Sequence, residues 1–353
     1  MALLTFAPGP SKVYNQLPDY FQEACREGIL SASHRSAVFM DLYKDTERLF
    51  KEKMGLPGDY SLLFTSSSTE NWEIVSQSLV MKASYHIYSG SFGKKWYGFA
   101  HHIIPETSAL VLDKNQLIPL NDLEISDAFD FIAVTQNETS NATQVTNETI
   151  AALGKKYPDK MLAIDTTSSM AGIFLDFKLA DVWYASVQKC FGLPAGLGLL
   201  LISPKAVERA RQKGEKGRYN SLNFMLENAK KYQTHYTPNV LGIYLLNRVL
   251  TDVPEIKETH KKTEARMKTL ESIVENSSGL DFLVSNSAAR SRTVLGVAGE
   301  EHFIRRIKSD AEAEGMQLGN GYGPLKPTSF RIANFPALED EEFEQLVSFL
   351  KAY

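Results

Sequence analysis

The sequence predicts an α/β protein: a large domain built on a mostly parallel sheet, followed by a smaller α+β domain. Three observations carry this. Short apolar runs alternate with helical periodicity through the first two thirds of the chain, the pattern of a sheet covered on both faces. The runs end in polar residues, where α/β sheets gather their binding groups. Towards the C-terminus longer helices and scattered strands take over, and 353 residues suffice for two such cores.

Ser61–Thr65 reads as a buried strand, Ser66–Thr69 as a small-residue turn, and Glu70–Lys82 as a helix with Trp72, Val75, Leu79 and Val80 at helical spacing. Tyr85–Tyr88 is the next strand and Ser91–His101 the helix after it. Phe131–Thr135 and Met161–Asp165 are strands, with a helix over Asn147–Lys156 between them. Asp181–Val187 and Gly198–Ser203 are two more strands. Pro204–Lys213, Val240–Leu250 and Glu255–Ile273 read as helices, the last charged along much of one face. Phe282–Val284 and Thr293–Val297 read as strands, Glu301–Glu314 as a helix, Phe330–Ala333 as a last strand and Asp340–Leu350 as a last helix. Gly319–Pro327 is a glycine- and proline-rich loop of the kind that often lines a site.

Composition narrows the function. A net charge of −4 gives no dominant basic footprint, so a nucleic-acid partner is not expected. The 2 cysteines, Cys25 and Cys190, make neither a zinc-ligand spacing nor a disulfide framework, and a reducing, cytoplasmic setting is expected. No apolar run is long enough to span a bilayer, and Met1–Pro10 lacks the pattern of a signal peptide. No membrane partner and no metal are expected.

Lys189 stands between an apolar strand and the turn Gly192-Leu193-Pro194-Ala195-Gly196. A lysine held there can form a Schiff base with an aldehyde cofactor, although most lysines are simply surface residues. Asp165 ends a strand, where its carboxylate could pair with a protonated pyridine nitrogen, cap a helix or bind a metal. Ser66-Ser67-Ser68-Thr69 lies between a strand and a helix and suits an anion, or plain capping.

Taken together, these stretches resemble the phosphoserine aminotransferases of the class V pyridoxal-phosphate enzymes. The matching stretches run in order: Pro8-Gly9-Pro10, Ser33-His34-Arg35-Ser36, the turn after Leu62-Leu63-Phe64, Asn137-Glu138-Thr139, Asp165 with Ser168-Ser169, Gln188-Lys189, Thr237-Pro238, and Arg331 ahead of Asn334 and Pro336. The resemblance implies the fold-type I, aspartate-aminotransferase-like architecture. It divides the chain into an N-terminal segment 1–15 near the active site, a large cofactor-binding domain 16–250 and a small domain 251–353. It implies pyridoxal 5'-phosphate as cofactor and a cytoplasmic homodimer with shared active sites. The activity implied is transamination between glutamate/2-oxoglutarate and phosphoserine/3-phosphohydroxypyruvate in serine biosynthesis. Alternatives are another class V aminotransferase using alanine or serine with glyoxylate, or a catalytically silent scaffold.

The resemblance also assigns roles. Lys189 would carry the cofactor and shuttle the proton, and Asp165 would pair with the ring nitrogen. Phe92 would stack on the ring and Thr139 would bond its phenolic oxygen. Ser68, Thr69 and Gln188 would hold the cofactor phosphate, with Thr237 from the second subunit. Arg331 would grip the substrate α-carboxylate, and His34 and Arg35 the substrate phosphate; from the residues alone, that pair could equally be a surface feature. Two departures stand out. Glu70 adjoins the phosphate turn, and Pro324-Leu325 replaces a basic pair, leaving Lys326 to supply one charge.

Overall fold

Seven strands form the larger sheet of the computed structural model, which describes residues 4–353. Their order across the sheet is Ser61–Thr65, Gly198–Ile202, Val182–Ser186, Met161–Asp165, Phe131–Thr135, Ser84–Tyr88 and Thr107–Val111. Gly198–Ile202 runs antiparallel to both neighbours, and the other pairings are parallel. Alternate side chains supply two cores, as the period of a strand requires. Phe64, Val134, Ile164 and Trp183 pack with helices Ala37–Met54 and Val240–Asp252. Leu63, Ala133, Ala163 and Tyr184 pack with Ser68–Leu79, Ser91–Ile103, Pro204–Lys213 and Leu222–Ala229. Each large apolar side chain buried this way contributes about 1.5–3 kcal/mol.

Register positions the chemistry. Thr135 lies opposite Asp165, Asp165 opposite Tyr184, and Gly198 opposite both Thr65 and Ser186. The antiparallel strand therefore begins at the edge where its neighbours end, and polar strand ends converge there.

A second sheet has five strands, in the order Leu4–Phe6, Met316–Asn320, Ser329–Ala333, Val294–Ala298 and Asp281–Phe282. Helices Ile256–Asn276, Glu301–Ala313 and Asp340–Leu350 pack on it through Leu270, Ile307 and Leu346. Leu4–Phe6 joins Met316–Leu318 in parallel, so the start of the chain is tied to this C-terminal sheet.

Several elements depart from expectation. The helix expected from Glu70 begins at Ser68, because Ser67 caps it by accepting the Glu70 N–H at 3.1 Å. The expected strand Phe282–Val284 is only Asp281–Phe282. Helices Leu17–Arg26 and Ala37–Met54 and strands Thr107–Val111 and Met316–Asn320 occupy stretches read as unassigned or as loop. Among the described residues no helix is long and apolar enough to cross a membrane.

Candidate active site

A cavity of about 240 Å³ opens at the edge where the strand ends meet, with Arg331 of the second sheet on its wall. Lys189 enters it just beyond strand Val182–Ser186 and is buried. Its Nζ donates to Thr139 Oγ1 at 2.7 Å and lies 5.0 Å from the centre of the Phe92 ring. Burial brings this amine down to about 8, against the opposing pull of Asp165 and Glu138. The Pro8-Gly9-Pro10 segment also lines the cavity. Gly9 has φ +152°, and a Cβ there would sit 3.2 Å from Lys189 Cε, so this position favours glycine.

Asp165 lies buried in the cavity lining. Its carboxylate accepts from Thr167 N at 2.9 Å, Thr167 Oγ1 at 2.5 Å and Trp72 Nε1 at 3.4 Å. Burial pushes the carboxyl up, while the Thr167 bonds and the Lys189 charge favour its ionised form. Thr167 also links Asp165 to the serine turn. Oγ atoms of Ser186 and Ser68 are 2.9 Å apart, and Ser68 Oγ is 2.8 Å from Thr167 Oγ1.

The turn itself is an anion cradle. Ser68 N donates to Ser186 Oγ at 2.7 Å, while Glu70 N and Asn71 N are taken by Ser67. Among the described residues the Thr69 N–H has no partner, which leaves a helix-terminal donor at the cavity. Gly198 lies directly beneath: a Cβ there would come within 2.4 Å of Thr65 Oγ1 and 2.7 Å of the Ser67 carbonyl carbon. Glu70 does not line the cavity. Its carboxylate accepts from Ser66 N and Oγ, both at 2.7 Å, and from Tyr219 OH at 2.8 Å. Burial pushes its carboxyl up, but these bonds together hold it below the usual range, ionised and engaged away from an incoming anion.

Phe92 forms a wall of the cavity on the first turn of helix Ser91–Ile103. Buried Glu138 fixes that turn by accepting from Phe92 N and Gly93 N, both at 3.0 Å. Arg331 donates from Nε to Asn320 O at 2.8 Å and from Nη1 to Thr139 O at 2.6 Å. Those bonds hold a planar fork beside Lys189 with donors to spare.

Eight expected residues thus line one cavity: Ser68, Thr69, Phe92, Thr139, Asp165, Gln188, Lys189 and Arg331. Four do not. His34 and exposed Arg35 sit before helix Ala37–Met54, and Thr237 is exposed before helix Val240–Asp252. Lys326, expected beside the substrate, lies outside the cavity. The turn Gly323–Leu325 leaves it on the exposed side of the loop, with its carbonyl accepting Lys308 Nζ at 3.2 Å. Tyr322 of the same loop lines the cavity instead. Trp72, Thr167, Ser186, Glu138 and Tyr322 were not expected as site residues. Trp72 has the spacing of a core residue and is one, so nothing in its pattern announces the indole bond to Asp165.

Residues 6–332 match the aminotransferase class-V family. A phosphoserine aminotransferase of Rhodococcus opacus is 26% identical over 97% of this chain and 92% of its own. The crystal structure of a phosphoserine aminotransferase from Cytophaga hutchinsonii superposes with a TM-score of 0.93 at 34% identity, covering 99% of this chain and 98% of that one. An aspartate aminotransferase from Thermus thermophilus shares the fold, with a TM-score of 0.85 at 20% identity over 100% of this chain and 98% of its own. The fold is therefore the fold-type I, aspartate-aminotransferase-like architecture, and the chain belongs to the class-V aminotransferases.

Proposed function

We propose that the cavity holds pyridoxal 5'-phosphate, and that the chain moves an amino group between glutamate/2-oxoglutarate and phosphoserine/3-phosphohydroxypyruvate in serine biosynthesis. The observation that carries this is the pairing of a buried amine brought down to about 8 with a buried, hydrogen-bonded carboxylate in one cavity. The residues suit the cofactor. Thr135 Oγ1 and Asn137 Oδ1 are buried and unpartnered among the described residues, and both residues line the cavity. Such atoms cost about 1–3 kcal/mol each unless a polar ligand meets them.

When bound, the cofactor supplies the electron sink for bond breaking at the substrate Cα. Lys189 takes the Cα proton as general base and returns it as general acid. Asp165 holds the positive charge of the ring nitrogen, braced by Thr167 and Trp72. Phe92 would cover a face of the ring, and Thr139 would offer its hydroxyl to the phenolic oxygen. Ser68, Thr69 and Gln188 hold the phosphate. Arg331 takes the α-carboxylate through its planar fork and thereby orients the Cα–H bond.

His34, Arg35 and Thr237 lie outside the cavity of their own chain. Their phosphate roles therefore call for a second copy, in a homodimer with shared sites. The free thiols Cys25 and Cys190 suit a cytoplasmic setting. A second reading, alanine or serine with glyoxylate, draws on the position of Lys326 outside the cavity. Product analysis separates them. Purified enzyme given O-phospho-L-serine and 2-oxoglutarate should yield glutamate, detected by NMR. Amino transfer from alanine to glyoxylate with none from phosphoserine would replace the first reading by the second.

A further inference from the structure

Lys95 is an exposed cation just outside the cavity lining, beside its wall residues Phe92 and Tyr322, that the roles above leave unused. It lies one turn beyond Phe92 on helix Ser91–Ile103, so the two side chains share a face. Its Nζ is 5.4 Å from the Phe92 ring centre and 6.0 Å from that of Tyr322, and it donates to Tyr322 OH at 3.3 Å. Aromatic faces hold a cation in place without neutralising it. Among the described residues no carboxylate pairs with Lys95 or with Arg331. Two cations without an ion-pair partner among the described residues therefore flank Tyr322, itself part of the cavity wall.

The upper limit on their separation admits a particular substrate shape. The Arg331 guanidinium is 5.6 Å from the Tyr322 ring centre, and Lys95 Nζ is 6.0 Å from it, so the cations are at most about 12 Å apart. An amino acid with a second anion three or four bonds from Cα spans about 5 Å between its anions. Adding an ion-pair reach of up to about 4 Å at each end brings it into that range.

We propose that Lys95, positioned by Tyr322, is the same-chain receptor for the distal anion of the substrate, acting beside the His34 and Arg35 that a second copy would bring. It would serve the side-chain carboxylate of glutamate and the phosphate of phosphoserine alike. This deepens the function proposed above and rests on it for the phosphoserine half.

The test compares Lys95→Met and Lys95→Arg with the unaltered enzyme. Apparent affinities for phosphoserine, glutamate and alanine come from cofactor absorbance in separate half-reactions. A second readout needs no turnover: binding of glutarate, which has two anions and no amino group, beside butyrate, which has one anion. Losing one charge-assisted contact in Lys95→Met should weaken phosphoserine, glutamate and glutarate by about 10- to 100-fold. The losses for alanine and butyrate should be several-fold smaller, and Lys95→Arg should recover most of the difference. Equal losses for one-anion and two-anion ligands, or no loss at all, would overturn the proposal. If the unaltered enzyme rejects phosphoserine while Lys95→Met still loses glutamate and glutarate selectively, the phosphoserine reading falls and the Lys95 receptor stands.

Discussion

Capture of the cofactor aldehyde needs a neutral amine, and burial brings the Lys189 amine down to about 8, which makes a neutral fraction available near neutral pH. With its amine at about 8, Lys189 is about one tenth neutral at pH 7 and about nine tenths neutral at pH 9. The rate at which cofactor-free protein binds pyridoxal 5'-phosphate should therefore rise about tenfold and then flatten. A free amine such as Nα-acetyl-lysine, at about 10.4, should climb about a hundredfold over the same interval without flattening. Stopped-flow absorbance between pH 6.5 and 9.5, with both amines side by side, reads the difference. The same depression makes a stability statement. Above about 8 the folded chain has released a proton that the unfolded chain keeps up to its ordinary value. Stability of the cofactor-free chain should consequently gain about 1.5 kcal/mol from this group between pH 8 and 9.5. Lys189→Met should lose that gain in urea titrations. A protein whose capture rate follows the free amine to pH 9 would refute a burial-depressed Lys189.

Three further outcomes are expected. Arg331→Ala should weaken every amino acid substrate by about 10- to 100-fold, and Arg331→Lys should recover only part, because an ammonium lacks the planar fork; titration of the cofactor spectrum measures this, and unchanged affinities would exclude the clamp. Mixing inactive Lys189→Ala protomers with Thr237→Glu protomers should restore about a quarter of full activity if each site draws on both copies, since each hybrid keeps one intact site; no recovery after exchange of subunits would contradict shared sites. Gly198→Ala places a methyl 2.7 Å from the Ser67 carbonyl carbon, so it should cost about 1–3 kcal/mol of stability and release the cofactor more readily; equilibrium unfolding and dialysis would reveal whether the turn has room to move.

The strands were legible because they are buried on both faces and read as unbroken apolar runs: Phe131–Thr135 and Met161–Asp165 fall as expected. Their carboxyl ends then located Asp165, Thr139 and Lys189 in one place. Helix Ala37–Met54 escaped because its buried Phe39, Tyr43, Leu49 and Phe50 are diluted by charged neighbours, although Ser36 accepts the Phe39 N–H as a cap. Glu138 is a buried charge made tolerable by backbone donors from another segment, and such partners do not show in local sequence. Gly319–Pro327 was recognisable as a site loop. Which of its side chains turns inward depends on the turn Gly323–Leu325, and it is Tyr322, not Lys326.

The most direct measurement is the single-turnover spectral change of the cofactor-loaded enzyme with O-phospho-L-serine, beside L-serine, L-alanine and L-glutamate. Rapid conversion to the pyridoxamine form by phosphoserine and glutamate, and slow conversion by serine and alanine, is the expected result. Conversion by alanine or serine but not by phosphoserine would contradict the assigned substrate and leave the class-V aminotransferase fold with a different amino donor.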